Sequence, residues 1–149
     1  MEKYSINGVS LLKNEKAIFP MMGEFHFSRC PEKEWEDEIR KMKACGMDII
    51  ATYVFWIHHE EEEGVFDFSG QRNLHRFLEL CEKWQMNVWL RIGPWAHGEA
   101  RNGGFPDWLL KKGYKLRSDD LDYLALVERF WKKIYKEVEG THCILGIQI

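Results

Sequence analysis

No stretch of this chain approaches the roughly 20 consecutive apolar residues that a membrane-spanning helix needs. The opening, Met1-Glu2-Lys3-Tyr4-Ser5-Ile6, carries no apolar signal-peptide core, so the expected location as written is cytoplasmic. A different N-terminus would instead read as secreted or periplasmic. The four cysteines, Cys30, Cys45, Cys81 and Cys143, never fall in CxxC spacing, which argues against a zinc ribbon or a thioredoxin-type site. Cys45 and Cys81 lie in helix-like patterns and are expected to be buried thiols. No HExxH or comparable ligand spacing occurs, so no metal is expected. No GxGxxG follows the first strand-like run and no GxxxxGK[ST] occurs anywhere, which disfavours a nucleotide-binding doubly wound fold and any such cofactor. There is no basic face: 21 Lys+Arg stand against 24 Asp+Glu, a net charge of −3. Nucleic acid is therefore not an expected partner, and a neutral substrate suits the balance.

What the chain has in quantity is ring-bearing side chains, 14% of its residues, with seven Trp and nine Phe. A sugar-binding cleft, where flat apolar faces stack on pyranose C–H surfaces, accounts for them, and so does a Trp-rich core. The length of 149 residues suits one domain. A complete (β/α)₈ barrel takes about 250 residues, so length alone leaves a small α/β domain and part of a barrel both open.

Hydrophobic periodicity gives the order of elements. Residues 4–20 read as a short β-hairpin or lead-in, with turn chemistry at Asn7-Gly8 and Asn14-Glu15. Residues 18–27 read as a strand interrupted by Gly23 and Glu24. Pro31 suits a first helical position, and Trp35, Ile39 and Met42 form one buried stripe that Gly46 terminates. The run 49–56 is mostly apolar and of strand length, as in strands buried on both faces. An acidic loop follows, from His58-His59 through Glu60 and Glu61 to Gly64, in which Glu61, Glu62 and Glu63 read as a solvated face. Leu74, Phe77, Leu78 and Cys81 mark a second helix, residues 86–92 a third core strand, and residues 93–106 a long shaped loop. A helix from about 118 to 139 presents Leu124, Val127, Trp131, Ile134 and Val138, with Asp119 and Asp120 at its positive end. Residues 143–149 form a fourth strand. Strand and helix alternate, so the expected class is α/β with a parallel sheet. Ending on a strand suggests an interrupted fold with an open edge.

In such folds chemistry collects at the C-terminal ends of the strands. The groups expected there are His26 and Arg29 after the first strand. Tyr53, Phe55, Trp56, His59 and Glu60 follow the second, and Arg91, Trp95, His97 and Glu99 the third. Arg91, on a core strand, suits a structural ion pair with a carboxylate.

Several linked segments resemble one family. Gly23-Glu24-Phe25-His26-Phe27-Ser28-Arg29-Cys30-Pro31 with Trp35-Glu36-Asp37 resembles the opening of glycoside hydrolase family 35. So do Lys41-Met42-Lys43-Ala44-Cys45-Gly46-Met47 and Thr52-Tyr53-Val54-Phe55-Trp56. His59-Glu60, Gly64-Val65-Phe66-Asp67-Phe68-Ser69-Gly70, Arg91-Ile92-Gly93-Pro94-Trp95, Glu99, and Gly103-Gly104-Phe105-Pro106 with Trp108-Leu109-Leu110 continue the series. The resemblance covers roughly residues 8–149. It implies that residues 1–149 are the N-terminal part of a TIM-barrel catalytic domain, about the first four strands with their helices. It implies a retaining exo-β-galactosidase acting on terminal β-galactosides, without cofactor or metal. It implies sugar contacts at Tyr53, His97, Gly98 and Glu99. The family's acid/base glutamate follows a stretch like Gly146-Ile147-Gln148-Ile149, and its nucleophile comes later, so both are expected beyond Ile149. Retaining hydrolysis needs two carboxyl groups about 5–5.5 Å apart, so the chain alone is expected to be inactive.

The pattern departs from the family in places. The usual Tyr-Ile-(Cys or Asn)-Ala-Glu-Trp is Trp95-Ala96-His97-Gly98-Glu99-Ala100, the usual Asn is Ile57, and the usual Pro is Glu61. These positions touch the floor of the first sugar subsite and bear on galactose specificity. The rival readings are an inactive barrel fragment or sugar-binding remnant, and a related β-glycosidase with another sugar preference. An incomplete barrel is also expected to self-associate through its open edges.

Overall fold

The structure, a computed structural model, describes residues 3–149. It opens with a three-stranded antiparallel meander: β1 (Tyr4–Ile6), β2 (Leu11–Lys13) and β3 (Lys16–Ile18). The lead-in is thus one strand longer than a hairpin. Its turns form where expected. The Asn7 side chain accepts the N–H groups of Val9 and Ser10. Asn14 and Glu15 both adopt positive φ, as a two-residue hairpin turn demands.

A four-stranded parallel sheet follows, β4 (Met22–Glu24), β5 (Ile49–Tyr53), β6 (Asn87–Arg91) and β7 (Ile144–Gln148), in that spatial order. The crossovers carry α1 (Trp35–Ala44), the short α2 (Trp56–His59), α3 (Leu74–Lys83), the short α4 (Asp107–Leu110) and α5 (Leu121–Val138). The protein is therefore α/β, and its sheet is open, with β4 and β7 each paired on one side only.

The core lies between sheet and helices. Every residue of β5 is buried, Thr52 included, though the strand ends at Tyr53 and Trp56 of the same run starts α2. Phe27 stacks on Phe77 with ring centroids 5.2 Å apart, and Trp35 meets both edge-on. Trp56 lies flat on Phe130 at 4.8 Å. Each such ring stabilises the fold by roughly 2–3 kcal/mol through burial. Asn73 and Asp120 cap α3 and α5 by accepting the N–H groups of Arg76 and Tyr123.

Several expectations need correction. Gly23 and Glu24 do not interrupt the first parallel strand; they form most of it, and it spans only residues 22–24. Gly23 fits there because a Cβ would meet the Met42 side chain at 2.8 Å. Pro31 precedes a 3₁₀ turn, Glu32–Glu34, rather than starting α1. Cys81 is buried within α3, but Cys45 is exposed, lying one residue past the end of α1. On α5 the buried face is Tyr123, Val127, Phe130 and Ile134, whereas Leu124 is 42% exposed. The stripe starts one residue earlier than its aliphatic residues suggest, since large rings fill the core there. The alternating segment 65–68 makes only an isolated bridge, Glu62 to Val65. Among the described residues no helix is long and apolar enough to cross a membrane.

Candidate active site

The parallel strands end at Glu24, Tyr53 and Arg91, and the segments that follow build one rim. A cavity of about 470 Å³ opens there, lined by Glu24, His26, Arg29, Phe55 and residues 95–99. A smaller one of about 230 Å³ lies beside it, against Tyr53, Arg91, Trp95, His97, Arg117 and Gln148. Trp95 and His97 form the wall between the two.

Tyr53 holds this wall in place. It is 3% exposed, and its phenol oxygen accepts the backbone N–H of His97 at 2.9 Å. The Arg91 guanidinium lies over its ring, 4.0 Å from the centroid, and donates to Glu24. Arg91 thus has the carboxylate partner that its core-strand position implied. The Tyr53 N–H in turn donates to Nδ1 of His26 at 3.3 Å. A nitrogen that accepts carries no proton, so the hydrogen of neutral His26 sits on Nε2, 3.9 Å from Glu24. Burial lowers the His26 pKa below the ordinary histidine value, outweighing the opposing pull of Glu24.

The loop after β6 is rigidly folded. Ala96 N–H donates to the Gly103 carbonyl at 2.7 Å, and Gly103 N–H donates back to Ala100 at 3.0 Å. Gly103 has φ 62, and a Cβ on it would fall 2.0 Å from the Trp95 ring, so only glycine fits. Arg117 covers the Trp95 ring at 4.8 Å.

His97, Gly98 and Glu99 are exposed and line the larger cavity together. Tyr53 does not line that cavity; it faces the smaller one and reaches the others through the His97 backbone. His26 and Arg29 join the larger cavity. Glu99 makes no ion pair among the described residues, which leaves its carboxylate free to accept hydroxyls. Glu24, which alternation along β4 aims at the same side as His26, was not singled out by spacing.

His59 and Glu60 are not part of this rim, nor of a solvated loop. Both are fully buried. Glu60 accepts from Trp56 Nε1 at 2.6 Å and from Gly64 N–H at 2.7 Å, and pairs with Arg129. His59 donates from Nδ1 to the Asp67 carbonyl at 3.1 Å and stacks on Phe68. Burial pulls its pKa down to about 4. Glu61, Glu62 and Glu63 are exposed, as expected. Among the described residues no group of three His, Cys, Asp or Glu is placed to hold a metal. A larger cavity, about 610 Å³ and mostly apolar, lies at the opposite ends of the strands, against Met22, Ile49 and Trp89. In α/β barrels that end serves stability.

The rim brings together the cationic Arg29, aromatic walls and the unpaired Glu99 carboxylate, groups whose chemistry suits hydroxyl-bearing molecules. A β-galactosidase of Xanthomonas manihotis is 34% identical over 137 residues, covering 91% of this chain and 23% of that protein. An exo-β-D-glucosaminidase of Pyrococcus horikoshii is 48% identical over 101 residues, covering 65% of this chain and 13% of that protein. The chain therefore spans at most about a quarter of the length of these curated relatives. Among solved structures, a β-galactosidase from Marinomonas ef1 superposes with a TM-score of 0.71 at 14% identity, over 87% of this chain and 21% of that one. The likeness in fold extends to the α/β architecture described above. The family model for glycosyl hydrolases family 35 matches residues 10–146, and the chain belongs to that family.

Proposed function

We propose that residues 1–149 form the N-terminal part of a TIM-barrel catalytic domain, its first four strands with their helices, in a retaining exo-β-galactosidase. The observation that carries this reading is the cavity at the strand ends, where the unpaired Glu99 carboxylate and the His97 and Gly98 backbone meet in a chain of this family. In the proposed role Glu99 accepts hydroxyls of a terminal β-galactose. Such hydrogen bonds to a charged acceptor orient the ring and strengthen as charge develops. Tyr53 acts on the sugar from the smaller cavity and through its hold on His97.

The acid/base and the nucleophile are proposed to lie outside these residues. Glu24 is engaged by Arg91 and Glu60 is sealed in the core, so neither is free to protonate a leaving oxygen. The 149-residue chain is accordingly proposed to be inactive alone and to associate through the unpaired sides of β4 and β7. A sharp monomer in light scattering would count against association.

A second reading, an exo-β-D-glucosaminidase, is favoured by the 48% identity to the Pyrococcus protein and by the departures at Trp95 to Ala100. One experiment tests both. The longer protein containing this chain is offered 4-nitrophenyl β-D-galactoside and the corresponding β-D-glucosaminide. Release from the galactoside supports the first reading, release from the glucosaminide alone the second, and release from neither sinks both.

A further inference from the structure

Glu24 ends β4 and Arg91 ends β6, and their side chains meet across the end of β5, the strand between them. The register sets the path. Arg91 stands opposite Tyr53, whereas Glu24 stands opposite Ala51, two residues back on the same face of β5. To reach Glu24, Arg91 lies across the Tyr53 ring, with its guanidinium 4.0 Å from the centroid. We infer that Glu24 is a positioning residue. Through Arg91 it holds the Tyr53 ring at the pitch from which the hydroxyl fixes the His97 backbone, and so sets the height of the proposed sugar-contacting loop. The inference rests on the reading of the larger cavity as a sugar site.

Three observations support it. First, Arg91 has no second anchor. Among the described residues Glu24 is the carboxylate paired with it, and its buried Nε finds no acceptor. Without that carboxylate the long side chain regains its rotamers, and the adjoining cavity of about 230 Å³, which Arg91 already lines, gives it room. Second, Glu24 stands behind another group that holds Tyr53. Its Oε2 lies 3.9 Å from Nε2 of His26, and His26 Nδ1 accepts the Tyr53 N–H at 3.3 Å. Third, the Tyr53 hydroxyl meets main chain, not a mobile side chain. The loop is tied internally by the hydrogen bonds between Ala96, Gly103 and Ala100, so a tilt of the ring moves His97, Gly98 and Glu99 together.

Glu24→Ala removes the anchor, and Glu24→Gln keeps an acceptor for Arg91. In the 149-residue chain without sugar, amide exchange at His97 should accelerate about fivefold in Glu24→Ala and less than about twofold in Glu24→Gln, with the β5 amides unchanged. Glu24→Ala combined with Tyr53→Phe should exchange no faster at His97 than Tyr53→Phe alone, because both changes break one link. Effects that multiply in the double variant overturn the inference. So does acceleration throughout β5, which would make Glu24 a support of the core. An unaltered His97 amide in Glu24→Ala overturns it as well, and is the result expected if Glu24 touches the sugar directly. In the longer protein, KM for 4-nitrophenyl β-D-galactoside should rise about fivefold in Glu24→Ala with kcat within about twofold, and Glu24→Gln should recover most of that loss. A lowered kcat with unchanged KM, the mark of fewer folded molecules, overturns the positioning role. If the longer protein cleaves no galactoside, the proposed activity fails, while the exchange measurements still decide this inference.

Discussion

The Tyr53 hydroxyl accepts the backbone N–H of His97, 44 residues away in sequence, at 2.9 Å. One buried phenol thereby fixes the height of a loop that carries three of the proposed sugar contacts. Tyr53→Phe keeps the ring under Arg91 and deletes only this acceptor. Leaving a half-buried N–H without its partner costs about 1–2 kcal/mol. Amide exchange at His97 should accelerate about tenfold, with little change in the β5 amides. Equal acceleration across β5 would mean that the hydroxyl supports the core rather than the loop.

Gly103→Ala places a methyl group into the Trp95 ring at a backbone position already in the left-handed region. Overpacking and strain together should cost roughly 2–4 kcal/mol. A urea midpoint within error of the wild type would contradict the tight contact between Trp95 and the Gly103 backbone.

Glu60→Ala strips Arg129, the Trp56 indole and the Gly64 N–H of their common acceptor. Arg129 is 35% exposed and keeps some water, so the loss is mainly of hydrogen bonds to a buried acceptor and costs about 1–3 kcal/mol, which thermal unfolding would read directly. Glu62→Ala, at an exposed position, should be nearly silent. Comparable losses in the two variants would refute the distinction between them.

Acid should destabilise the fold through His59. Its folded pKa of about 4 lies below the ordinary 6.5, so the unfolded chain binds the proton more readily. The contribution is complete above pH 6.5, erodes as pH falls towards 4, and is gone below that. The loss is about 3 kcal/mol, from 1.4 kcal/mol for each tenfold in proton affinity. His59→Phe keeps the stacking on Phe68 and should flatten this part of the stability profile between pH 6.5 and 4. An unaltered profile would assign the acid sensitivity elsewhere.

The sequence by itself determined what local spacing can encode. The buried stripe Leu74, Phe77, Leu78 and Cys81 and the turn at Asn14-Glu15 form as read, and the mostly apolar run 49–56 gives a buried strand over 49–53, because each depends on residues within one or two turns of chain. The family, too, was legible in short linked motifs such as Trp35-Glu36-Asp37 and Gly103-Gly104-Phe105-Pro106. Only the tertiary structure decided which of several similar residues are inside. Glu60 is sealed and Glu61 is wet because Arg129, 69 residues on, reaches one and not the other. Cys45 faces solvent just beyond the end of α1, whereas Cys81 lies within α3 on its buried face. Glu24 meets Arg91 only because β4 and β6 flank the same central strand. The partners in these two pairs stand 69 and 67 residues apart, so no short window of sequence contains both.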